Sequence, residues 1–334
     1  MRRVPTLAAF SALPLLVVPL TTVTAADARP DPGAVGDAAG VVSRAAPMAA
    51  LTAEPGTGEP SFVAPPDAGA TSLRVPAATI RVTYQGITRP ARRAFQRAVN
   101  IWEPLLASSV PITVRATFAP AGRGNLGSAG PSRLYRGFRG APKPGTWYVD
   151  AIANKRAGRN LHKSPDIVAR FNSNRSDWYF RTDGDTPSNR YDFTSVALHE
   201  LGHGLGFLGA GRVGGTGRGT VRLSGSPLGY DRLTESGAGA RLLSFANGST
   251  RLGDQLRSNN VWFDSPQVRS ASGGNRARLY APATFQPGSS YSHLNEATYR
   301  RRNPNSLMTP FLGGGEAIHN PGPITRAVFS SIGW

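Results

Sequence analysis

The chain has no cysteine among its 334 residues. This absence excludes disulfide bonds, thiol catalysis, thiolate metal ligands and a lipid anchor on cysteine. Long apolar runs are also scarce, because after the first 20 residues no stretch is long and apolar enough to cross a bilayer. We therefore expect no stable membrane insertion. A domain of this kind has to rely on its hydrophobic core or on a bound metal ion.

Lysine is scarce too, although the chain is strongly basic. There are 38 lysine and arginine residues against 20 acidic ones, a formal net charge of +18, and only Lys143, Lys155 and Lys163 are lysines. A polyanion-binding protein is one interpretation, and it predicts salt-dependent retention on heparin. The arginines are scattered, however, with no basic run longer than residues 300–302. This favours a solvated surface, and we expect no nucleic-acid partner.

The N-terminus has the layout of a secretory signal peptide. Arg2 and Arg3 give a positive start, an apolar stretch follows at about residues 7–20, and small residues lead to Ala28. Residues 1–28 are therefore predicted to be a signal peptide, and the protein to be secreted and extracellular.

The next segment, residues 29–75, is rich in alanine, glycine and proline and has no sustained apolar period. We interpret it as a disordered linker or a pro-segment. A pro-segment in this chain cannot inhibit through a cysteine. Ordered structure is predicted to begin near Ala77.

The first ordered segments read as strand, helix and strand. Apolar and polar residues alternate in residues 78–84 and 111–118, and helical spacing follows Pro90. This order indicates a parallel strand pair with a crossover helix. Beyond it we predict a glycine- and arginine-rich loop at 121–145 and further strands at 147–152 and 167–171.

The stretch with the clearest chemistry is HELGHGLGF, which begins at His199. Asp192 can cap the helix that carries it, and an apolar stripe runs from Phe193 to Leu208. His199 and His203 lie on the opposite side of this helix.

Histidines four apart on a helix can present ring nitrogens to one metal ion. Glu200 is turned about 100° from His199, toward the flank of that ion. It is placed to take a proton from an attacking water and to pass it to a leaving amine. Imidazole ligands with an open position favour Zn²⁺ over harder ions.

A catalytic zinc site usually has three protein ligands. Glycines follow the motif and favour a turn at Gly206 rather than a longer helix. The third ligand must then come from elsewhere in the chain. The candidates are the histidines His293, His319 and His162 and the carboxylates Asp231, Glu296 and Glu316.

HELGHGLG resembles the active-site motif of the metzincin metalloproteases, HExxHxxGxxH followed downstream by a Met-turn. His199, Glu200, His203 and Gly206 match this pattern. The last position falls on Gly209, which has no side chain to bind a metal. The resemblance covers roughly residues 192–209 and 291–310.

The resemblance is closest to the leishmanolysin-like branch, in which a long insertion separates HExxHxxGF from the third histidine. It implies that His293, in YSHLNE, is the third ligand. It also implies that Met308, in NSLMTP, forms the Met-turn beneath the zinc.

The fold implied by the resemblance is α+β and zincin- or metzincin-like. A twisted mixed sheet with two main helices would lie above an irregular C-terminal subdomain. The expected division is an N-terminal catalytic subdomain with the zinc-binding helix, 76–209, and a C-terminal subdomain with the third ligand, Met-turn and terminal helix, 210–334.

The function implied is that of a secreted zinc endopeptidase acting on protein or peptide substrates. The alternative is a zinc-containing binding or adhesion protein on the same scaffold with little catalysis. The presence of Glu200 favours the enzyme. The sequence predicts no oligomeric state.

A second metal is considered for the acidic stretch TDGDTPSNRYD, Thr182–Asp192, whose three acids could bind Ca²⁺. Pro187 breaks the spacing of an EF-hand loop. We favour a plain turn that leads into the helix cap.

Overall fold

The computed structural model describes residues 42–54, 58–66 and 76–334. The predicted signal peptide, residues 1–28, lies outside this description. All the described residues fall within one unit, Asp37–Trp334. None of their helices has the length and apolar character that crossing a membrane requires.

The described chain is built from strands and helices in an α+β arrangement, which confirms the predicted fold class at this level. The strands are β1 (Val42–Ala45), β2 (Ala49–Ala53), β3 (Ser61–Val63), β4 (Ile80–Gln85), β5 (Ile112–Ala119), β6 (Asn125–Pro131), β7 (Arg133–Arg136), β8 (Tyr148–Val149), β9 (Ile167–Asn172), β10 (Trp178–Tyr179), β11 (Tyr191–Asp192), β12 (Arg212–Val213), β13 (Gly219–Thr220), β14 (Thr234–Ser236), β15 (Val261–Phe263), β16 (Ala277–Leu279), β17 (Phe311–Leu312) and β18 (Glu316–Ile318). The helices are α1 (Arg89–Trp102), α2 (Asp150–Ala157), α3 (Phe193–Gly204), α4 (Thr250–Leu256), α5 (Pro266–Ala271) and α6 (Gly322–Ile332).

A six-stranded mixed sheet forms the main layer, in the order β17-β2-β6-β9-β5-β4. Strands β4, β5 and β9 are parallel to one another, and β6 is antiparallel to β9. Strand β2 is antiparallel to β6 and parallel to β17. Helices α1 and α3 contact each other, and α3 also contacts β2, β6 and β9. The sheet and these two helices position the site described below.

The predicted strand–helix–strand start is confirmed. Thr88 caps α1 by accepting a hydrogen bond from the Ala91 N–H, and Pro90 lies in the first turn, where its missing N–H costs nothing. The buried face of α1 includes Phe95 and Trp102. Because the helix spans the gap between β4 and β5, the two strands pair in parallel.

The predicted loop at 121–145 is only partly right, because Asn125–Pro131 and Arg133–Arg136 form β6 and β7 whereas the rest of the stretch has no helix or strand. Strand β6 was not predicted because its small residues show no alternation of apolar and polar positions. Its glycines allow other parts of the chain to approach its backbone closely. A Cβ on Gly127 would lie 3.0 Å from Oε1 of Glu200, and one on Gly130 would lie 2.5 Å from the carbonyl oxygen of Pro47.

The predicted strand at 147–152 is only partly right. Two residues form β8, and Asp150 then begins α2. Gly158, with φ of +70°, ends the helix in the left-handed conformation that glycine tolerates. The predicted strand at 167–171 is confirmed as β9.

The described part of residues 29–75 is not a disordered linker, and ordered structure does not begin near Ala77. Strand β1 pairs with β7, β2 with β6 and β17, and β3 with β18. These partners lie far away in sequence, so a local apolar period was not needed to form the strands. That the segment is a pro-segment stays a prediction.

The predicted C-terminal subdomain, 210–334, contains the small antiparallel sheet β14-β15-β16 and ends in α6. It also contributes β17 to the main sheet and β18 as the partner of β3. The predicted C-terminal subdomain therefore pairs through these two strands with residues 49–63, and β17 completes the main sheet.

Candidate metal centre

Helix α3 presents the motif from the interior of the protein. Asp192 caps it, since its Oδ2 accepts hydrogen bonds from the Ser195 backbone N–H at 2.7 Å and from its Oγ at 2.6 Å. Every residue of α3 is buried. The side predicted to carry the imidazoles therefore faces protein rather than solvent.

The structure brings His199, His203 and His293 together. Their Nε2 atoms lie 2.9 Å apart for His199 and His203, 3.1 Å for His203 and His293, and 3.2 Å for His199 and His293. All three side chains are completely buried. Two come from one face of α3 and the third from a segment 90 residues further along the chain.

The hydrogen bonds of the Nδ1 atoms determine which ring nitrogen of each histidine carries the hydrogen. Each Nδ1 faces a backbone carbonyl oxygen, which can only accept, so each Nδ1 carries the hydrogen and each Nε2 keeps its lone pair. The carbonyls belong to Leu307, Phe207 and Ser289, at 2.6, 2.8 and 2.7 Å from His199, His203 and His293. Three lone pairs thus point at one another, an arrangement that a cation between them would stabilise.

This donor set fits a metal ion. Ligand nitrogens bound tetrahedrally at about 2.0–2.1 Å would be roughly 3.3–3.4 Å apart, close to the spacing of the three Nε2 atoms. Burial lowers the pKa of all three imidazoles, that of His203 to about 4, so the rings are in the neutral form that binds metals. Among the described residues, only this group places three potential ligand atoms within 4.8 Å of one another.

Glu200 lies beside the histidines on α3 and is completely buried. Its Oε1 accepts a hydrogen bond from the backbone N–H of Leu51 at 3.3 Å, and its Oε2 has no partner within the described structure. Burial raises the pKa of this carboxyl group well above its usual value. A buried carboxyl oxygen without a partner is a group that a ligand or water would satisfy.

The turn after α3 uses the predicted glycine. Gly206 has φ of +119°, outside the range that side chains tolerate, and its N–H donates to the carbonyl oxygen of His203 at 3.1 Å. The turn brings the Phe207 carbonyl back to the His203 ring. Gly206 thereby positions one of the three imidazoles.

Met308 lies in a tight turn, Ser306–Met308, and is completely buried. A Cβ on Gly202 of α3 would come within 2.8 Å of its Sδ, so the sulfur packs directly against the helix. Its own carbonyl oxygen accepts from the Leu294 N–H at 2.8 Å, next to His293. Since the neighbouring Leu307 carbonyl binds His199, this turn links two of the three histidines.

Gly209, where the metzincin pattern has its third histidine, lies under an aromatic ring. A Cβ at this position would be 2.2 Å from Cε1 of Tyr291, and the ring leaves no room for a side chain. Tyr291 has φ of +74° and donates a hydrogen bond to Asp231 Oδ1 at 3.0 Å. Tyr291 lies two positions before His293, and its hydrogen bond to Asp231 helps to hold this part of the chain in place. The sequence pattern did not reveal this role of Tyr291.

The other candidates for the third ligand have partners elsewhere. His319 bonds to Asp192 at 2.8 Å, and His162 bonds to Ser164. Asp231 accepts hydrogen bonds from Ala210, Leu228 and Tyr291, and Glu316 accepts one from Gly313. Glu296 lies beside the Thr309 side chain. None of them belongs to the histidine group.

The acids considered for calcium do not converge in the structure. Asp183 accepts from the Tyr179 hydroxyl at 2.9 Å and pairs with Arg181, whereas Asp192 is used in the helix cap. Within the described ranges this loop forms no group of three acidic ligands.

The chain was compared with models of protein families, with curated proteins and with solved structures, and no match was found in any of the three.

Proposed function

We propose that this protein is a secreted, zinc-dependent endopeptidase with a metzincin-like fold. The observation that carries the proposal is the convergence of three buried histidine Nε2 atoms beside a buried carboxylate on the same helix. The mixed sheet, helices α1 and α3, and the methionine turn under α3 support the metzincin-like fold. The N-terminal layout of the sequence supports secretion.

His199, His203 and His293 would hold the ion through Nε2, with their Nδ1 hydrogens kept in place by backbone carbonyls. A zinc ion supplies a Lewis acid that polarises a substrate carbonyl and lowers the pKa of water toward neutrality. These backbone bonds orient the rings before any ligand binds.

Glu200 moves the protons in the proposed reaction. Its free Oε2 takes a proton from the attacking water and then delivers it to the amine nitrogen of the leaving peptide. A carboxylate can serve both steps, because it accepts the proton in the first and returns it in the second.

The test is zinc content and casein hydrolysis, with and without a chelator, for wild type and Glu200→Gln. We expect about one zinc per chain in both proteins and a turnover about 100-fold or more lower in Glu200→Gln. The amide has nearly the shape of the carboxylate but accepts no proton, so folding and metal binding are the internal control.

Two outcomes would contradict the proposal. Normal hydrolysis by Glu200→Gln would remove Glu200 from the mechanism. Full zinc content in wild type without chelator-sensitive hydrolysis of casein or peptides would favour the zinc-containing binding protein instead.

A further inference from the structure

Strand β2 lies between β6 and β17, two strands that come later in the chain. On one side it pairs antiparallel with β6, with Ala49 opposite Ala129 and Leu51 opposite Gly127. On the other side it runs parallel to β17. There the Thr52 N–H donates to the Pro310 carbonyl oxygen at 3.0 Å. The segment is thus held as an extended peptide by backbone hydrogen bonds on both edges.

The same strand contacts the proposed general base. The Leu51 N–H donates to Glu200 Oε1 at 3.3 Å, and a register shift between Leu51 and Thr52 interrupts the ladder at this point. Gly127 lies opposite, and a Cβ there would be 3.0 Å from Oε1. The absence of that Cβ lets the peptide bond between Ala50 and Leu51 lie next to the carboxylate.

The side chains of the segment differ in how far they are enclosed. Leu51 is 2 % exposed, whereas Met48 is 37 % exposed. The alanines at positions 49 and 50 demand little space. The groove therefore encloses two apolar side chains of the segment, the small one of Ala49 and the larger one of Leu51, whose backbone N–H donates to Glu200.

The neighbouring strands hold this segment in place. β1 pairs with β7 before it, and β3 pairs with β18 after it. Without β2, strand β6 would present an unpaired row of N–H and C=O groups next to the histidine centre. Such an edge binds an extended peptide by strand addition.

We infer that residues 42–54 are a built-in pseudo-substrate, and that β2 occupies the groove in which an extended peptide substrate pairs with β6 and β17. That the bound peptide is a substrate rests on the proposed function. That β2 occupies a peptide-binding groove rests on strand pairing alone. The preferred substrate has an apolar residue such as leucine at the position of Leu51 and small residues before it. The device needs no cysteine, because backbone pairing and the contact with Glu200 close the site.

A tethered segment competes strongly with a free peptide, since a short tether gives an effective concentration in the millimolar range. The affinity for a free peptide is reduced by the fraction of molecules whose groove is open. Weakening β2 should therefore increase binding and hydrolysis of added peptides by the same factor.

The experiment uses the zinc-loaded full chain and a fluorescent peptide of residues 46–54, APMAALTAE. Binding is measured by anisotropy in the Glu200→Gln background, which leaves the peptide uncut, for the otherwise wild-type chain, Leu51→Asp and the control Met48→Asp, and hydrolysis is measured with Glu200 in place. We expect Leu51→Asp to bind the peptide at least about ten-fold more tightly than wild type, because burying a carboxylate disfavours its own β2. Met48→Asp should match wild type, since that side chain is exposed, and a peptide with aspartate in place of leucine should not bind.

A second variant guards against loss of the fold. Thr52→Pro removes the N–H that bonds to Pro310 and leaves Leu51 unchanged. Circular dichroism and zinc content report whether each variant is folded, and this variant should also gain peptide affinity.

Peptide binding tests the pseudo-substrate, and peptide hydrolysis tests the proposed function, so the failure of one can be told apart from the failure of the other. If the two variants bind the peptide more tightly but no form hydrolyses any peptide, the groove assignment stands and the proposed function falls. If hydrolysis is normal but folded Leu51→Asp and Thr52→Pro bind the peptide no better than wild type, the pseudo-substrate is overturned and the peptidase stands.

Discussion

Buried histidines lie at both ends of helix α3, and their Nε2 atoms have different neighbours at the two ends. Near its C-terminal end, the Nε2 atoms of three histidines face one another within 3.2 Å. At its N-terminal end, Nε2 of His319 lies 2.8 Å from Oδ2 of Asp192. Both environments are completely buried, so burial does not distinguish a metal centre from a structural histidine.

The difference lies in which nitrogen meets an acceptor. In the candidate metal centre, backbone carbonyls accept the Nδ1 hydrogens and leave three lone pairs facing one point. At the other end, the carboxylate accepts from the His319 ring and also caps α3 through Ser195. The Ile318 N–H donates to Ser195 Oγ at 2.6 Å, so this network fastens β18 to the start of the helix.

The largest difference between the two ends is expected when a histidine at each end is replaced by alanine and zinc affinity is measured. His293→Ala should lower it about 100-fold or more, because even the loss of an outer partner of a ligand costs about 10–100-fold. His319→Ala should leave it nearly unchanged. Competition titration with a chelating dye measures both variants, and equal losses would show that the two environments share one metal site.

The next prediction concerns the stability of the protein at the other end of the helix. Asp192→Ala removes the helix cap and leaves buried groups of Ser195 and His319 without an acceptor. We expect the free energy of unfolding to fall by about 2–4 kcal/mol. Chemical denaturation of the zinc-loaded protein would measure it.

The matched control is Ser249→Ala, which removes the cap of the short helix α4, where Ser249 Oγ accepts from the Leu252 N–H at 3.1 Å. Its expected cost is about 1 kcal/mol. A loss in Asp192→Ala no greater than this would mean that the His319 contact contributes little.

The smallest predicted effect concerns the packing of Met308 under the candidate metal centre. Gly202→Ala places a Cβ within 2.8 Å of Met308 Sδ and should cost about 1–3 kcal/mol of unfolding free energy. The exposed Gly122, with nothing within 4 Å of a Cβ, is the control and should change by less than about 0.5 kcal/mol on substitution by alanine.

A double-mutant cycle with Met308→Ala tests whether this contact causes the loss. The combined cost should be smaller than the sum of the single costs, because the smaller side chain leaves room for the added methyl group. Strict additivity would place the cause elsewhere.

Local rules predicted a good part of this site. Asp192 was recognised as a cap, and α1 between two parallel strands follows from residue periodicity. Strand β6 was missed because its sequence, NLGSAGP, lacks an apolar alternation. Its small residues fit against Glu200 and the Pro47–Met48 backbone, contacts that arise only when distant segments meet.

The third histidine illustrates the same limit. Residue types alone left six candidates, and the resemblance to a family pointed to His293. What brings His293 to the centre is a set of tertiary contacts, among them the Tyr291 ring over Gly209 and the Leu294 N–H on the Met308 carbonyl.

The sequence by itself determined that His199 and His203 share one face of a helix beside Glu200, because 3.6 residues per turn bring positions four apart together. It also determined that no thiol takes part, since the chain has no cysteine. Only the tertiary structure decided that His293 completes the group and that β2 lies between β6 and β17 with Leu51 on Glu200. The reason is that helix geometry acts over a few residues, whereas strand pairing and side-chain packing join segments whose separation in sequence carries no local signal.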